Sequence, residues 1–184
     1  MVGSLSPLNR LPTRANLTCR GVTIPSSVCL FCGLDEESQL HCFLSCSIIK
    51  IIWRKLWSWW RSPLLYNPSL VDILKEKSGF IENKSVENLF HAVCMTFMWH
   101  VWKWRNKILH ASSDAEAIAI RHEDFPSAQR LSLLWAYNRS SKKVIVSWKN
   151  WILNPGELAS SSSPWFFLVL GVLYFGVSLS GALS

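Results

Sequence analysis

Apolar positions along this chain change period several times, and the changes mark its elements. From about Gln39 to Arg61, Ile49, Ile52, Trp53, Leu56 and Trp60 recur at steps of 3, 1, 3 and 4, which predicts one helical face. A longer helix is predicted from Ser85, with Ser85 as its N-cap and Asn88 three residues on, to His110. Leu89, Phe90, Val93, Phe97, Val101, Arg105 and Ile108 fall near one face of it, widened by Met98, Trp102 and Leu109. A third helix is predicted from Ser127 to about Trp151, interrupted near Asn138 to Ser140, after a mixed stretch that ends at Pro126. Shorter signals precede these. Thr13 to Arg20 reads as a brief helix, opened behind Pro12 and stopped at Gly21. Val22 to Pro25 reads as a short strand, and Cys29 to Gly33 as a tight turn followed by acidic Asp35, Glu36 and Glu37. Pro63 and Pro68 break the pattern before another short helix over Ser69 to Lys77.

The tail has a different character. From Leu158 to Ser184 there is no charged residue, and Trp165 to Leu183 is almost wholly apolar. At 1.5 Å per residue such a stretch spans about 28 Å, close to the thickness of a hydrocarbon core. Lys142, Lys143 and Lys149 upstream favour a cytosolic N-terminal side. The expected organisation is therefore a cysteine-rich module over 1–62, a Trp-rich helical region over 63–155, a Ser-rich linker over 156–164 and a transmembrane helix over 165–183. The expected fold class is mostly α, a small cysteine knuckle followed by helices.

Composition narrows the function classes. The 184 residues are 49% hydrophobic and only 17% charged, which excludes wholesale disorder. Eleven Trp demand either a packed aromatic core or a partner for exposed rings. A net charge of +7 favours nucleic acid or an anionic membrane as that partner. Residues 1–20 lack the apolar run of a secretory signal, being broken by Pro7 and Pro12 and carrying Arg10, Arg14 and Arg20. A reducing interior, nucleus or cytoplasm, is the expected setting, and the sequons at Asn16, Asn83 and Asn138 are read as chance.

In that setting the clustering of thiols points to metal. Five of the six cysteines (Cys19, Cys29, Cys32, Cys42 and Cys46, but not Cys94) lie within 28 residues. Cys29-Leu30-Phe31-Cys32 is a knuckle whose two-residue spacer lets one turn aim both sulfurs at a single ion, and Gly33 lets the backbone wrap round it. A second pair follows, either His41 with Cys46 or Cys42 with Cys46. Helical spacing leans toward Cys42, four residues from Cys46. His41 is five residues away and needs a helix start or a loosened turn. The residues leave that choice open. The competing readings are a set of buried reduced thiols and a redox pair at Cys29 and Cys32, the latter without the βαβ context it needs.

The run Leu11-Pro12-Thr13-Arg14-Ala15-Asn16-Leu17, then Arg20-Gly21-Val22, Cys29, Cys32, Glu37, His41-Cys42-Phe43, Cys46 and Trp53 resembles the zinc-binding domain C-terminal to the reverse transcriptase in plant LINE-type retrotransposons. The order and spacing match over roughly residues 5–60, and Trp102-Lys103-Trp104-Arg105-Asn106-Lys107 is similar to the helical segment that follows there. The resemblance implies one structural zinc ion on Cys29, Cys32, His41 and Cys46, with Cys42 at a position usually apolar. It also implies association with RNA or DNA. Polymerase chemistry would need clustered carboxylates, yet the only Asp are Asp35, Asp72, Asp114 and Asp124, none paired. No catalysis is expected, and the chain reads as a detached piece of such a polyprotein.

Arg10, Arg14, Arg20, Lys50, Arg54 and Lys55 are the candidate nucleic-acid contacts, since cations beside aromatic rings suit phosphates and bases together. The bland reading makes Trp53, Trp57 and Trp60 core and the cations a solvated face. Trp99, Trp102 and Trp104 cannot all face one core, so some are expected against the third helix. The alternative function is a tail-anchored membrane protein with a cytosolic, zinc-held interaction module, and the least active one an inert remnant.

Overall fold

The structure, a computed structural model, describes residues 11–61, 73, 83–122, 125–139 and 147–156. Its helices are α1 (Arg14–Cys19), α2 (Ser47–Trp59), α3 (Lys84–Leu109), α4 (Asp114–Ile120), α5 (Phe125–Arg139) and α6 (Trp148–Leu153), with a π-helical turn at His41–Ser45. The fold is mostly helical. Among the described residues there is no strand, only one isolated antiparallel bridge between Val28 and Glu36. The expected strand at Val22 to Pro25 does not form; Val22 N–H turns back to the Leu17 carbonyl behind α1 instead.

Local chemistry sets the helix ends. Thr13, fully buried, caps α1 by accepting from Asn16 N–H, and Glu37 takes the next orphan donors: its Oε1 accepts from Arg14 N–H at 3.1 Å and its carbonyl from Ala15 N–H at 3.2 Å. At the other end Gly21 adopts φ +77 and the chain turns away, with Val22 N–H returning to the Leu17 carbonyl. The long helix starts earlier than expected. Asn83, not Ser85, is its N-cap, its Oδ1 accepting from Ser85 and Val86 N–H. An Asn two residues upstream competes successfully because its carbonyl reaches two amides at once. Pro126 likewise opens α5 rather than closing what precedes it, as its ring suits a first turn. The predicted third helix is thus two helices, α5 and α6, separated near the expected interruption.

The core is one continuous cluster from Cys29 through Trp151, in which α3 packs against α4, α5 and the π turn. Trp53, Trp57 and Trp60 are buried in it. Around Trp59 the rings of Trp60, Phe97, Phe125 and Trp151 lie with centroids 5.5 to 6.4 Å away, and Phe90 stands between Trp57 and Trp60. Indole N–H groups tie the elements together. Trp59 donates to the Ile152 carbonyl at 2.9 Å, Trp151 to Gln129 at 3.0 Å, and Trp104 to Ile120. A six-residue helix such as α6 is too short to persist alone. Burial of Trp151, about 150–250 Å² of ring worth roughly 4–6 kcal/mol, holds it in place.

Of the Trp99, Trp102 and Trp104 trio, only Trp104 is buried; Trp102 is half-buried against Phe43 and Trp99 is exposed. Cys94 is buried and Cys19 exposed. Among the described residues no helix is long and apolar enough to cross a membrane. The candidate span at 165–183 and the linker at 156–164, apart from Gly156, lie outside the described residues. So does the short helix over Ser69 to Lys77, apart from Ile73, which is buried in the core.

Candidate metal centre

Cys29, Cys32, His41 and Cys46 each offer a donor atom, and all four atoms lie within 4.8 Å of one another. Two pieces of backbone bring them together. The first is the ribbon from Ser27 to Glu37: Cys29 N–H donates to the Asp35 carbonyl at 2.7 Å and Glu37 N–H to Ser27 at 2.8 Å. At its tip Gly33 N–H bonds the Cys29 carbonyl at 2.9 Å with φ +67, a conformation that any side chain would strain. This closes the knuckle and turns both sulfurs inward.

The second piece is the π turn. Cys46 N–H reaches back five residues to the His41 carbonyl at 3.0 Å, so residues five apart, not four, share a face. Cys46 itself leaves the helical region, at φ −57 and ψ 134, and α2 begins afresh behind it. A single helix from Gln39 is therefore not what forms, and the spacing argument for Cys42 fails with it. The carbonyls that the turn frees need other donors, and Trp53 supplies one, its indole N–H meeting the Phe43 carbonyl at 2.7 Å.

His41 Nε2 sits 3.3 Å from Cys32 Sγ, so Nε2 is the ring nitrogen turned into the donor set. Nδ1 lies 3.7 Å from the exposed carboxylate of Asp35, close but beyond hydrogen-bond distance. Around the sulfurs the backbone amides are aimed as a thiolate requires. Cys46 Sγ takes a hydrogen bond from the Cys29 thiol and further ones from the amides of Ile49 and Ile48, which together hold its pKa below the ordinary thiol value. Cys29 receives Cys32 and Phe31 amides, but its hydrogen bond to Cys46, with burial second, pushes it up.

Cys42 lies outside the four. It is fully buried, and desolvation, with the Glu37 charge second, keeps it protonated. It serves as a small core residue.

A second buried group stands beside the site. Glu37 and Arg105 are 0% and 2% exposed and form an ion pair, Arg105 Nη2 and Nε lying 2.7 and 3.2 Å from Glu37 Oε1. Arg105 also stacks over Trp102 at 5.1 Å and reaches the Pro12 carbonyl. This pair joins α1, the zinc ribbon and α3. Its signal in the sequence was an arginine in the middle of an apolar helical face.

The candidate cations divide. Arg14 is half-buried and spends Nη1 on the Val28 carbonyl at 2.9 Å, a structural role. Arg20, Lys50, Arg54 and Lys55 are exposed; Arg10 lies outside the described residues.

Three thiolates and one imidazole are the donor set of a tetrahedral structural zinc site, in which bonds of about 2.3 Å to sulfur and 2.0 Å to nitrogen give donor separations of roughly 3.5–3.8 Å. The 3.3 Å between Cys32 Sγ and His41 Nε2, with all four donors within 4.8 Å of one another, is compatible with that range, so the residues fit the ion. Fold and site together define a small zinc-binding module extended by helices. In agreement, residues 5–53, which hold all four donors, match the family described as zinc-binding in reverse transcriptase. No curated protein and no solved structure matches the chain.

Proposed function

We propose that the chain is a structural, non-catalytic zinc module that presents basic helical surface to RNA or DNA in a reducing compartment. The zinc supplies folding free energy, on the order of 10 kcal/mol for sites of this type. Four protein donors complete its shell and leave no position for a substrate. The nucleic-acid part rests on one observation above all: Ser38 to Arg61 contains no carboxylate, and Lys50, Arg54, Lys55 and Arg61 all lie exposed on or beside α2. A carboxylate-free run of exposed cations attracts phosphates and releases counterions from them.

The test joins elemental analysis to a salt titration. The purified chain is expected to carry one zinc and to bind labelled RNA or DNA with an affinity that falls steeply as salt rises. Binding that ignores salt, or none at all, overturns the nucleic-acid reading. A zinc-free folded preparation overturns the module.

A further inference from the structure

Trp99 is the one described tryptophan whose exposure has no structural use. It is 49% exposed on α3, while Trp148, the other exposed ring, carries the Arg130 guanidinium 5.5 Å above it. No ring or hydrogen bond among the described residues engages Trp99. Its neighbours on the helix surface are equally specific. Lys103 and Lys107 follow at steps of four, and His110 closes the helix three residues later, all exposed. At 100° per residue these four positions fall within about 80° of one another, with roughly 6 Å of rise between successive lysines. No carboxylate among the described residues pairs with either lysine, and Asn88 to Ser113 contains no Asp or Glu.

The opposite face of α3, with Phe97, Val101, Trp104 and Ile108, is buried, so the helix cannot rotate to hide Trp99. A large flat ring held in water at one end of a row of cations matches one chemistry. A base stacks on the ring while neighbouring phosphates meet the ammonium groups. A duplex keeps its bases stacked inside and offers none to a ring on a convex helix.

We infer that the α3 face formed by Trp99, Lys103, Lys107 and His110 binds single-stranded nucleic acid, with a base on Trp99 and successive phosphates on Lys103 and Lys107. This rests on the nucleic-acid reading above and adds to it a surface and a preference for single strands. The assay is fluorescence anisotropy of the zinc-loaded full chain with labelled single-stranded RNA, single-stranded DNA and the matching duplex, across a salt series. Trp99→Ala is expected to weaken single-strand binding about tenfold or more and to leave duplex binding nearly unchanged, while Trp99→Phe retains most of the affinity. Lys103→Ala with Lys107→Ala is expected to lower the salt slope by about 1.4, at roughly 0.7 per phosphate on a single strand. If the wild-type chain binds with steep salt dependence but these variants bind equally well, the α3 surface is wrong and the general reading survives, with Lys50 and Arg54 the next residues to replace. If the wild-type chain shows no salt-dependent binding to any of the three probes, both fall. A larger loss for RNA than for DNA identifies the strand that the face was built for.

Discussion

Removing Arg105 tests whether the ion pair, and not only the zinc, holds the ribbon to α3. Arg105→Met keeps an unbranched apolar stem and deletes the guanidinium and its charge. What remains is a fully buried Glu37 carboxylate whose Oε1 retains only the Arg14 amide and whose Oε2 has no partner among the described residues. Breaking a buried pair from one side costs about 3–5 kcal/mol, because the surviving charge is left uncompensated. Set against a total stability of roughly 5–15 kcal/mol for a domain, that is a fifth or more of the margin. Glu37→Gln with Arg105→Met removes the stranded charge, keeps an acceptor for Arg14 N–H, and should cost less than Arg105→Met alone, about 1–3 kcal/mol. Urea unfolding under saturating zinc, followed by tryptophan fluorescence, measures wild type, Arg105→Met, Glu37→Gln and the double variant. Elemental analysis in parallel should find zinc retained, since no donor is touched. Arg105→Met within about 1 kcal/mol of wild type, or a double variant as costly as the sum of the two singles, would refute the pairing argument.

The remaining predictions concern the site and the thiols. Cys29→Ser and His41→Ala should each abolish zinc binding and unfold residues 11–61, whereas Cys42→Ser should keep one zinc; zinc loss in Cys42→Ser would move the third donor. Trp53→Phe keeps the ring but orphans the Phe43 carbonyl in the π turn, and should cost about 1–3 kcal/mol by chemical denaturation. The alkaline limb of stability reports Cys94, which burial pushes well above the ordinary thiol value of 9.0. The unfolded thiol ionises as pH passes 9 while the folded one stays protonated, so folding is fully favoured below that pH and loses up to about 1.4 kcal/mol per pH unit above it. Cys94→Ala should flatten that limb of the pH curve by one thiol's share; an unchanged slope would show that Cys94 ionises in place.

Much of this was legible in the chain itself, and the parts that were not share a cause. Apolar period located α2 and α3, whose buried residues Ile49, Ile52, Trp53, Leu56, Val93, Phe97, Val101 and Ile108 are those the spacing selected. Periodicity survives because burial of a helical face is a sum over many residues. The helix ends and the third donor were settled by single hydrogen bonds, and a one-dimensional pattern does not weigh those: Asn83 over Ser85 as a cap, Pro126 as a start. The clearest case is the five-residue step from His41 to Cys46. An α-helix puts residues four apart on one face, so the pattern alone favours Cys42. The π turn, held by Cys46 N–H to the His41 carbonyl and by Trp53 from ten residues away, reverses that preference. Trp53 is thus more than a core residue, since its indole N–H stabilises the backbone geometry that sets which side chain faces the metal. The same argument explains Arg105, which violates the apolar pattern of α3 only until Glu37, 68 residues earlier, is seen to meet it. In both places the local pattern is overruled by a hydrogen bond from farther along the chain, Trp53 to the Phe43 carbonyl in the π turn and Arg105 to Glu37.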